Sequence, residues 1–310
     1  MTRRHAWWFE KSFVGLTARS YDPRPSTANH GESKTYMTSN ATGRVKRIGI
    51  AGLGTVGKAL ALAIDKGIPG TTLTAVSARN IQAATDWAGQ LTRPVEVLAL
   101  EQLVDHCDVV VECAPAALLP RLAEPVLRAG RQLVVLSSGA LLENRYLIDL
   151  AREFNGQILV PTGALIGLDA VLAAAEGRID SVRMVSRKPV EGFRGAPFLI
   201  EHGIDIEGIR EPLRIFSGKA REAATGFPAN LNVAISLSLA GIGPDRTELE
   251  IWADPTITRN THTITVESDS ATFTMTIQNI PTENPKTGRI TAQSVVALLR
   301  KIGAPLAVGT

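Results

Sequence analysis

The chain is poor in cysteine and has no long apolar run. Its 310 residues include two cysteines, Cys107 and Cys113, too few for a disulfide framework and without the spacing of a zinc site. Both fall in a segment that reads as a buried strand and its end, so we expect small apolar side chains in a reducing cytoplasm and no metal. A membrane-spanning helix needs about 18 or more consecutive apolar residues. No such stretch occurs, and we expect no membrane partner.

The chain also lacks an excess of charge beyond its first segment. The net charge is +3, but residues 1–43 hold six lysines and arginines against three acidic residues, and the remainder holds 27 charges of each sign. No basic stripe with interleaved aromatic residues occurs. We therefore expect no nucleic-acid partner.

Residues 1–43 lack any convincing periodicity. They contain Trp7 and Trp8, followed by a run rich in Pro, Ser, Thr and Asn. The apolar patch AWWF is too short for the core of a signal peptide. We expect a disordered extension, with Met37 as a possible start of translation; the alternative is a targeting segment.

Strand and helix patterns alternate over residues 44–161. The run DHCDVVVECA contains a continuous apolar stretch, which is typical of strands in parallel sheets. The alternation predicts an α/β domain with a Rossmann-type, doubly wound parallel sheet that binds a dinucleotide.

The pattern changes over residues 162–288, which we expect to form a second α+β domain for substrate binding, catalysis and dimerisation. Three alternating segments, RTELEIWADP, RNTHTITVES and ATFTMTIQN, follow one another and predict an antiparallel meander in an open mixed or antiparallel sheet. The amphipathic segment 289–303 predicts a last helix that packs back on the first domain.

A glycine loop follows the first predicted strand and opens a helix. Gly52, Gly54 and Gly57 have the G-x-G-x-x-G spacing, which permits a tight turn, close approach of a pyrophosphate and close packing of helix against strand. Thr55 and Val56 begin the helix, whose N–H groups can bind phosphate. We expect these five residues to bind a dinucleotide; the alternative is a turn that serves packing alone.

The end of the second predicted strand lacks the acidic residue that usually binds the ribose of NAD. It reads VSARN, with Ser77 and Arg79. A hydroxyl group and a guanidinium suit the 2′-phosphate of NADP. We therefore favour NADP, or use of both NAD and NADP; the alternative is that Arg79 is an ordinary surface arginine.

The strand RNTHTITV carries two polar residues on the face that should be buried. Asn260 and His262 share that face with Ile264 and Val266. A buried polar group without a partner costs ~1–3 kcal/mol, so the pair indicates a cleft in which His262 acts as the acid–base group and Asn260 assists it. The alternative is a structural histidine. The other four histidines are less well placed: His5, His30, His106 and His202.

Nine segments, taken together, resemble the L-aspartate dehydrogenase family. In order between residues 46 and 305 they are GLGTVG, VECA, SSGAL, PTGALIGLDAV, SRKP, GKAREAATGFPANLNVA, LAGIGPDRTELEIWADP, NTH and NPKTG. The last five in this order are specific to the family. The resemblance implies NAD(P)-dependent oxidation of L-aspartate to iminoaspartate, which hydrolyses to oxaloacetate and ammonia or feeds NAD synthesis through quinolinate. It also implies a homodimer.

The resemblance assigns individual residues as well. The family's catalytic histidine falls on His262, and its cofactor contacts beyond the glycine loop fall on Ala164 and Asn232. Thr162 stands where the family often has serine, and the hydroxyl is kept. The family's cation in the segment before NVA is absent here, where the chain reads ANLN.

The two carboxylates of aspartate require positive partners. We expect Lys188 and Lys286 to bind them, together with Thr162; the alternative for each lysine is a solvated surface charge. Two other functions are compatible with the same sequence. One is a related dehydrogenase of another amino or hydroxy acid, and the other is a sensor that binds NADP without turnover.

Overall fold

The apolar run Val109–Val111 forms a strand whose side chains are fully buried. In the computed structural model, which describes residues 45–227, 231–281 and 288–309, this strand lies near the centre of a six-stranded parallel sheet. The expectations for residues 1–43 and for Lys286 fall outside the described residues.

The first sheet confirms the predicted Rossmann-type architecture. Its strand order is β3-β2-β1-β4-β5-β6, and every pairing is parallel. The strands are β1 (Lys46–Ala51), β2 (Thr71–Ser77), β3 (Glu96–Val97), β4 (Val109–Glu112), β5 (Gln132–Val135) and β6 (Gln157–Leu159). The helices between them are α1 (Thr55–Asp65), α2 (Ile81–Ala88), α3 (Leu103–His106), α4 (Leu119–Arg128) and α5 (Tyr146–Glu153).

A second, mixed sheet has five strands in the order β11-β10-β7-β9-β8. The strands are β7 (Ile179–Lys188), β8 (Leu213–Lys219), β9 (Glu248–Ala253), β10 (Asn260–Ser268) and β11 (Thr272–Asn279). Its helices are α6 (Leu168–Ala175), α7 (Pro197–Glu201), α8 (Ala220–Gly226) and α9 (Asn232–Ala240). The apolar core of this sheet includes Val182 and Met184 of β7, Ile264 and Val266 of β10, and residues of α6 and α9.

The expected antiparallel meander of the last three strands is wrong in its first step. β10 and β11 form a hairpin, in which Val266 lies opposite Phe273. β9, however, does not neighbour β10, because β7 lies between them, parallel to β9 and antiparallel to β10. Alternation along a strand determines which face is buried and leaves open which strand lies beside it.

The last helix, α10 (Arg289–Gly303), packs against α1. Its Val295 and Leu299 are fully buried in the same apolar cluster as Leu60 of α1 and Ile48 of β1. The chain thus returns to the first sheet after completing the second. Among the described residues, no helix combines the length and the apolar composition needed to cross a bilayer.

Candidate active site

The glycine loop has the geometry that a pyrophosphate requires. Gly52 has φ of 103°, and a Cβ there would lie 2.5 Å from the carbonyl oxygen of Cys113. A Cβ at Gly57 would lie 1.9 Å from the carbonyl oxygen of Gly52, so α1 packs against the loop only with glycine at this position. At Gly54 a Cβ would meet no atom within 4 Å. The loop is therefore closed on the protein side and open where phosphate would approach.

Gly54 is the N-cap of α1 and supplies no side-chain cap, so no side chain caps the N–H groups of the first turn, which begins at Thr55 and Val56. At the end of β2, the carbonyl of Ser77 accepts a hydrogen bond from Gly52 N–H at 2.7 Å. Ser77 is buried, whereas Arg79 is exposed. Arg79 is thus accessible to a ligand, as an ordinary surface arginine would also be.

A cavity of about 220 Å³ lies at the carboxyl edge of the first sheet, beside the second sheet. Seven of the residues expected at the site line it: Val56, Thr162, Ala164, Lys188, Asn232, Asn260 and His262. The remaining glycine-loop residues, Ser77 and Arg79 do not line it, and Lys286 lies outside the described residues. The fold thus brings together residues that are up to about two hundred positions apart in the chain.

His262 lies on the cavity wall with only 2% of its surface exposed. It sits in β10 opposite Ser186 of β7 and Ile277 of β11. Its Nδ1 is 3.1 Å from the hydroxyl oxygen of Ser186. Burial, and secondarily the positive charge of Lys188, lower the pKa of His262 to about 3. The imidazole is therefore neutral at pH 7.

Asn260 lies half-buried on the same cavity, two residues before His262. The register of the hairpin places it opposite Asn279, which is 3% exposed. The side-chain nitrogen of Asn279 donates to the carbonyl oxygen of Ala164 at 2.9 Å. The sequence analysis did not identify Asn279. The signal was the same as for Asn260, an asparagine at the end of an alternating apolar strand face.

Asn232 is the first residue of α9 and connects the second sheet's helices to the first sheet. Its side-chain oxygen accepts from the N–H of Gly139 at 3.1 Å, and its carbonyl accepts from the hydroxyl of Ser138 at 2.8 Å. Ser236, one turn later, donates to the Ser138 hydroxyl at 3.0 Å. Because the carboxamide oxygen is used internally, its NH₂ group is the part available to a ligand.

Glu112 is a cavity residue that the sequence reasoning did not single out. Only 1% of it is exposed, and it ends β4. Its carboxylate accepts hydrogen bonds from the N–H of Leu136 at 3.1 Å, and from the N–H and hydroxyl of Ser137 at 2.8 and 3.1 Å. Burial nevertheless raises its pKa. A charged residue directly after three valines was the available signal.

Lys188, at the end of β7, is 6% exposed, and its Nζ lies 5.8 Å from the centre of the Phe193 ring. It is therefore a buried cation on the cavity wall and not a solvated surface charge. Thr162 is exposed at the cavity's margin. Cys113 also lines the cavity, and burial raises its pKa, so its thiol stays protonated.

Comparisons with known proteins cover both parts of the chain. A family model described as aspartate dehydrogenase, C-terminal, matches residues 169–302, and one described as homoserine dehydrogenase, NAD binding domain, matches residues 52–161. L-aspartate dehydrogenase 3 of Bordetella bronchiseptica is 61% identical over 264 residues, which cover 85% of this chain and 97% of that protein.

Two further relatives are informative. L-aspartate dehydrogenase of Bradyrhizobium diazoefficiens is 57% identical over 274 residues, which cover 88% of this chain and 98% of that protein. The crystal structure of aspartate dehydrogenase from Thermotoga maritima matches with a TM-score of 0.64 at 21% identity, covering 85% of this chain and 99% of that chain. At that identity the structural likeness concerns the fold.

Proposed function

The chain belongs to the L-aspartate dehydrogenase family, and we propose that it oxidises L-aspartate to iminoaspartate with NAD or NADP. The observation that carries the proposal is the position of His262, a neutral imidazole on the wall of a cavity into which the first turn of α1 also projects. An acid–base group and a dinucleotide-binding loop thus meet at one cavity.

The reaction requires removal of a proton and of a hydride. When bound, NAD or NADP would supply the acceptor for the hydride from Cα of the substrate. His262 takes one proton from the α-ammonium group, so that the nitrogen lone pair can form the C=N bond as the hydride leaves. Addition of one water to the iminium product then gives oxaloacetate and ammonium, and His262 releases the proton it took to solvent, which restores the neutral imidazole.

The low pKa of His262 is consistent with a base that works in the presence of substrate. Burial and the charge of Lys188 lower the pKa of His262. The two carboxylates of aspartate bring negative charge next to the imidazole and raise its pKa toward the range where proton transfer is efficient.

The substrate is held by the residues around His262. Lys188 binds one carboxylate, because it is a buried cation on the cavity wall. Asn260 and Thr162, which both line the cavity, supply hydrogen bonds to the substrate. We assign the second carboxylate to Lys286 on the sequence alone.

The cofactor is held by the first sheet and by α9. Gly52, Gly54 and Gly57, with the first turn at Thr55 and Val56, bind the pyrophosphate. Ala164 and Asn232 contact the nicotinamide end, where Asn232 has its NH₂ group available. Ser77 and Arg79 lie at the strand end that binds the adenosine ribose, and we assign the 2′-phosphate of NADP to them.

Two finer assignments rest on the family resemblance: a homodimer, and a product that supplies NAD biosynthesis. A third, a cytoplasmic location, rests on the two free cysteines, Cys107 and Cys113. The oligomeric state is tested by light scattering during size-exclusion chromatography, for which a mass near 33.1 kDa would exclude the dimer.

The function is tested by initial rates. L-aspartate with NAD and with NADP, and the reverse reaction with oxaloacetate and ammonia, are compared with L-glutamate, L-alanine and L-malate. The proposal requires the highest kcat/KM for L-aspartate. A higher value for a hydroxy acid would indicate a related dehydrogenase, and cofactor binding without turnover would indicate an NADP-binding sensor.

The role of His262 is tested in the same assay. His262→Ala is expected to lower kcat by about 10²–10⁴-fold, the usual effect of losing an acid–base group. His202→Ala is the matched control, because His202 is exposed, stacks on Phe198 and does not line the cavity. Equal losses in both variants would remove His262 from the mechanism.

A further inference from the structure

The hydroxyl group of Ser186 lies beside Nδ1, one of the two ring nitrogens of His262. The two residues face each other across the β7–β10 pairing, and Oγ is 3.1 Å from Nδ1. They are 4% and 2% exposed. We propose that Ser186 is a positioning residue, whose hydroxyl oxygen accepts a hydrogen bond from Nδ1–H of His262 and so keeps Nε2 as the nitrogen that takes the substrate proton.

The contact is rigid because it is built from two strand backbones. The register from Thr261–Arg187 to Glu267–Ser181 is continuous, so the Cα positions of Ser186 and His262 are set by the ladder on both sides of the pair. The neighbouring inward-facing pair, Met184 and Ile264, is fully buried. A hydroxyl on this apolar face needs a partner, and the imidazole supplies it.

The direction of this hydrogen bond determines which nitrogen can act as a base. A neutral imidazole carries one N–H, and its position is set by the hydrogen bond of the other nitrogen. If the hydroxyl donated to Nδ1, the ring proton would be on Nε2. Nε2 could then not accept a proton from the substrate. If the hydroxyl accepts from Nδ1–H, Nε2 presents its lone pair.

The accepting role requires a partner for the hydroxyl hydrogen of Ser186. A second cavity of about 10 Å³ is lined by Ser186, Lys188 and Phe193 among other residues. This volume is at the lower limit of about 10–15 Å³ that one water molecule needs. In the proposed arrangement one water there accepts the hydroxyl hydrogen, which leaves the oxygen lone pairs for Nδ1–H.

This arrangement serves both charge states of His262. Nδ1–H donates to the same oxygen in the neutral ring and in the imidazolium, so no group has to turn when the proton arrives. The bond is stronger in the imidazolium because it is then charge-assisted. It therefore opposes the lowering of the His262 pKa by burial and by the charge of Lys188. Besides His262 and Lys188, the titratable groups that line the large cavity are Glu112 and Cys113. The other neighbours do not titrate: Ile277 faces the ring from β11, and α9 contributes Asn232 and Ser236.

The first test reads the tautomer and does not depend on turnover. The ring nitrogens of His262 are observed by ¹⁵N NMR in the full chain without substrate, and the signals are assigned by their loss in His262→Ala. We expect the Nδ1–H tautomer in the wild type and a shift toward Nε2–H in Ser186→Ala. Ser186→Thr, which retains a hydroxyl, is expected to keep Nδ1–H. A wild-type ring protonated on Nε2 would overturn the proposal.

The second test rests on the proposed function and measures kcat, KM and their pH dependence. Loss of a hydrogen bond to a charged group is expected to lower kcat of Ser186→Ala by about 10–100-fold, with little change in the KM for aspartate and a displaced acidic limb of the pH profile. Ser186→Thr restores kcat. The control is Ser181→Ala on the same strand, where the hydroxyl donates to Glu267 at 2.9 Å outside the cavity.

The outcomes separate the two proposals. If kcat of Ser186→Ala is unchanged, or falls with an unchanged pH profile and tautomer, Ser186 has no positioning role. If the wild type does not oxidise aspartate but the tautomer responds to Ser186→Ala, the proposed function fails while the Ser186–His262 pairing stands.

Discussion

The carboxamide oxygen of Asn232 accepts a hydrogen bond from the backbone N–H of Gly139 at 3.1 Å, across 93 positions of sequence. This bond joins the first residue of α9 to the turn that follows β5. It orients the side chain, so that its oxygen is used within the protein and its NH₂ group is available on the cavity.

Asn232→Asp is expected to separate these two roles. The aspartate keeps an oxygen for Gly139 but lacks the NH₂ group, so the fold is retained while cofactor affinity falls by about 10-fold or more, the effect of one lost hydrogen bond at a binding site. Asn232→Ala loses both and is expected to lose stability as well. The measurements are the Kd for NAD and NADP by fluorescence, and Tm. Unchanged Kd values in both variants would contradict the assignment of Asn232 to the cofactor.

His262 makes the stability of the folded chain depend on pH. Its pKa is about 3 in the fold and ~6.5 in the unfolded chain. The unfolded state therefore binds more protons between these values, and the stability falls as pH decreases through this window. From pH 7 to pH 5.5 the contribution is a loss of about 1 kcal/mol.

A His262→Asn variant lacks this contribution. Urea unfolding at pH 7 and pH 5.5 is expected to show a smaller loss of stability for the variant than for the wild type, by about 1 kcal/mol. Identical pH dependence would mean that His262 is not buried in neutral form.

Two glycines of the nucleotide loop are expected to respond differently to alanine. Gly57→Ala places a Cβ 1.9 Å from a backbone oxygen of Gly52, so the loop or α1 must shift, and Tm is expected to fall. Gly54→Ala meets no atom within 4 Å, so Tm is retained, but the methyl group occupies the side from which a pyrophosphate approaches. Cofactor binding by calorimetry is therefore lost in Gly54→Ala at normal stability. Full affinity in that variant would place the pyrophosphate elsewhere.

Arg79 is expected to discriminate between the two cofactors. If its guanidinium binds the 2′-phosphate, Arg79→Ala raises the KM for NADP by about 10–100-fold and leaves the KM for NAD nearly unchanged. The control is Arg93→Ala, because Arg93 is another exposed arginine in the part of the chain that forms the first sheet. Equal effects on NAD and NADP would support the reading of Arg79 as an ordinary surface residue.

The local features of the site were predictable from sequence because each depends on a few neighbouring residues. The glycine spacing required a turn of the kind seen at Gly52, with φ of 103°. The alternation in RNTHTITV placed His262 with Ile264 on one face, and all of that face from His262 to Val266 is buried. The α/β class followed from the alternation of elements in the same way.

Contacts between distant residues were decided by the tertiary structure. β7 enters between β9 and β10, and this insertion places Ser186 opposite His262 and brings Lys188 to the cavity. Asn279 reaches Ala164 across 115 positions, and Glu112 reaches Ser137 on the neighbouring strand's loop. Local pattern sets the type of an element and the face it buries, whereas strand order and register depend on packing over the whole chain. The sequence alone therefore determined the sharp turn of the glycine loop and the strand face on which His262 lies. Only the folded chain determined which side chains surround them.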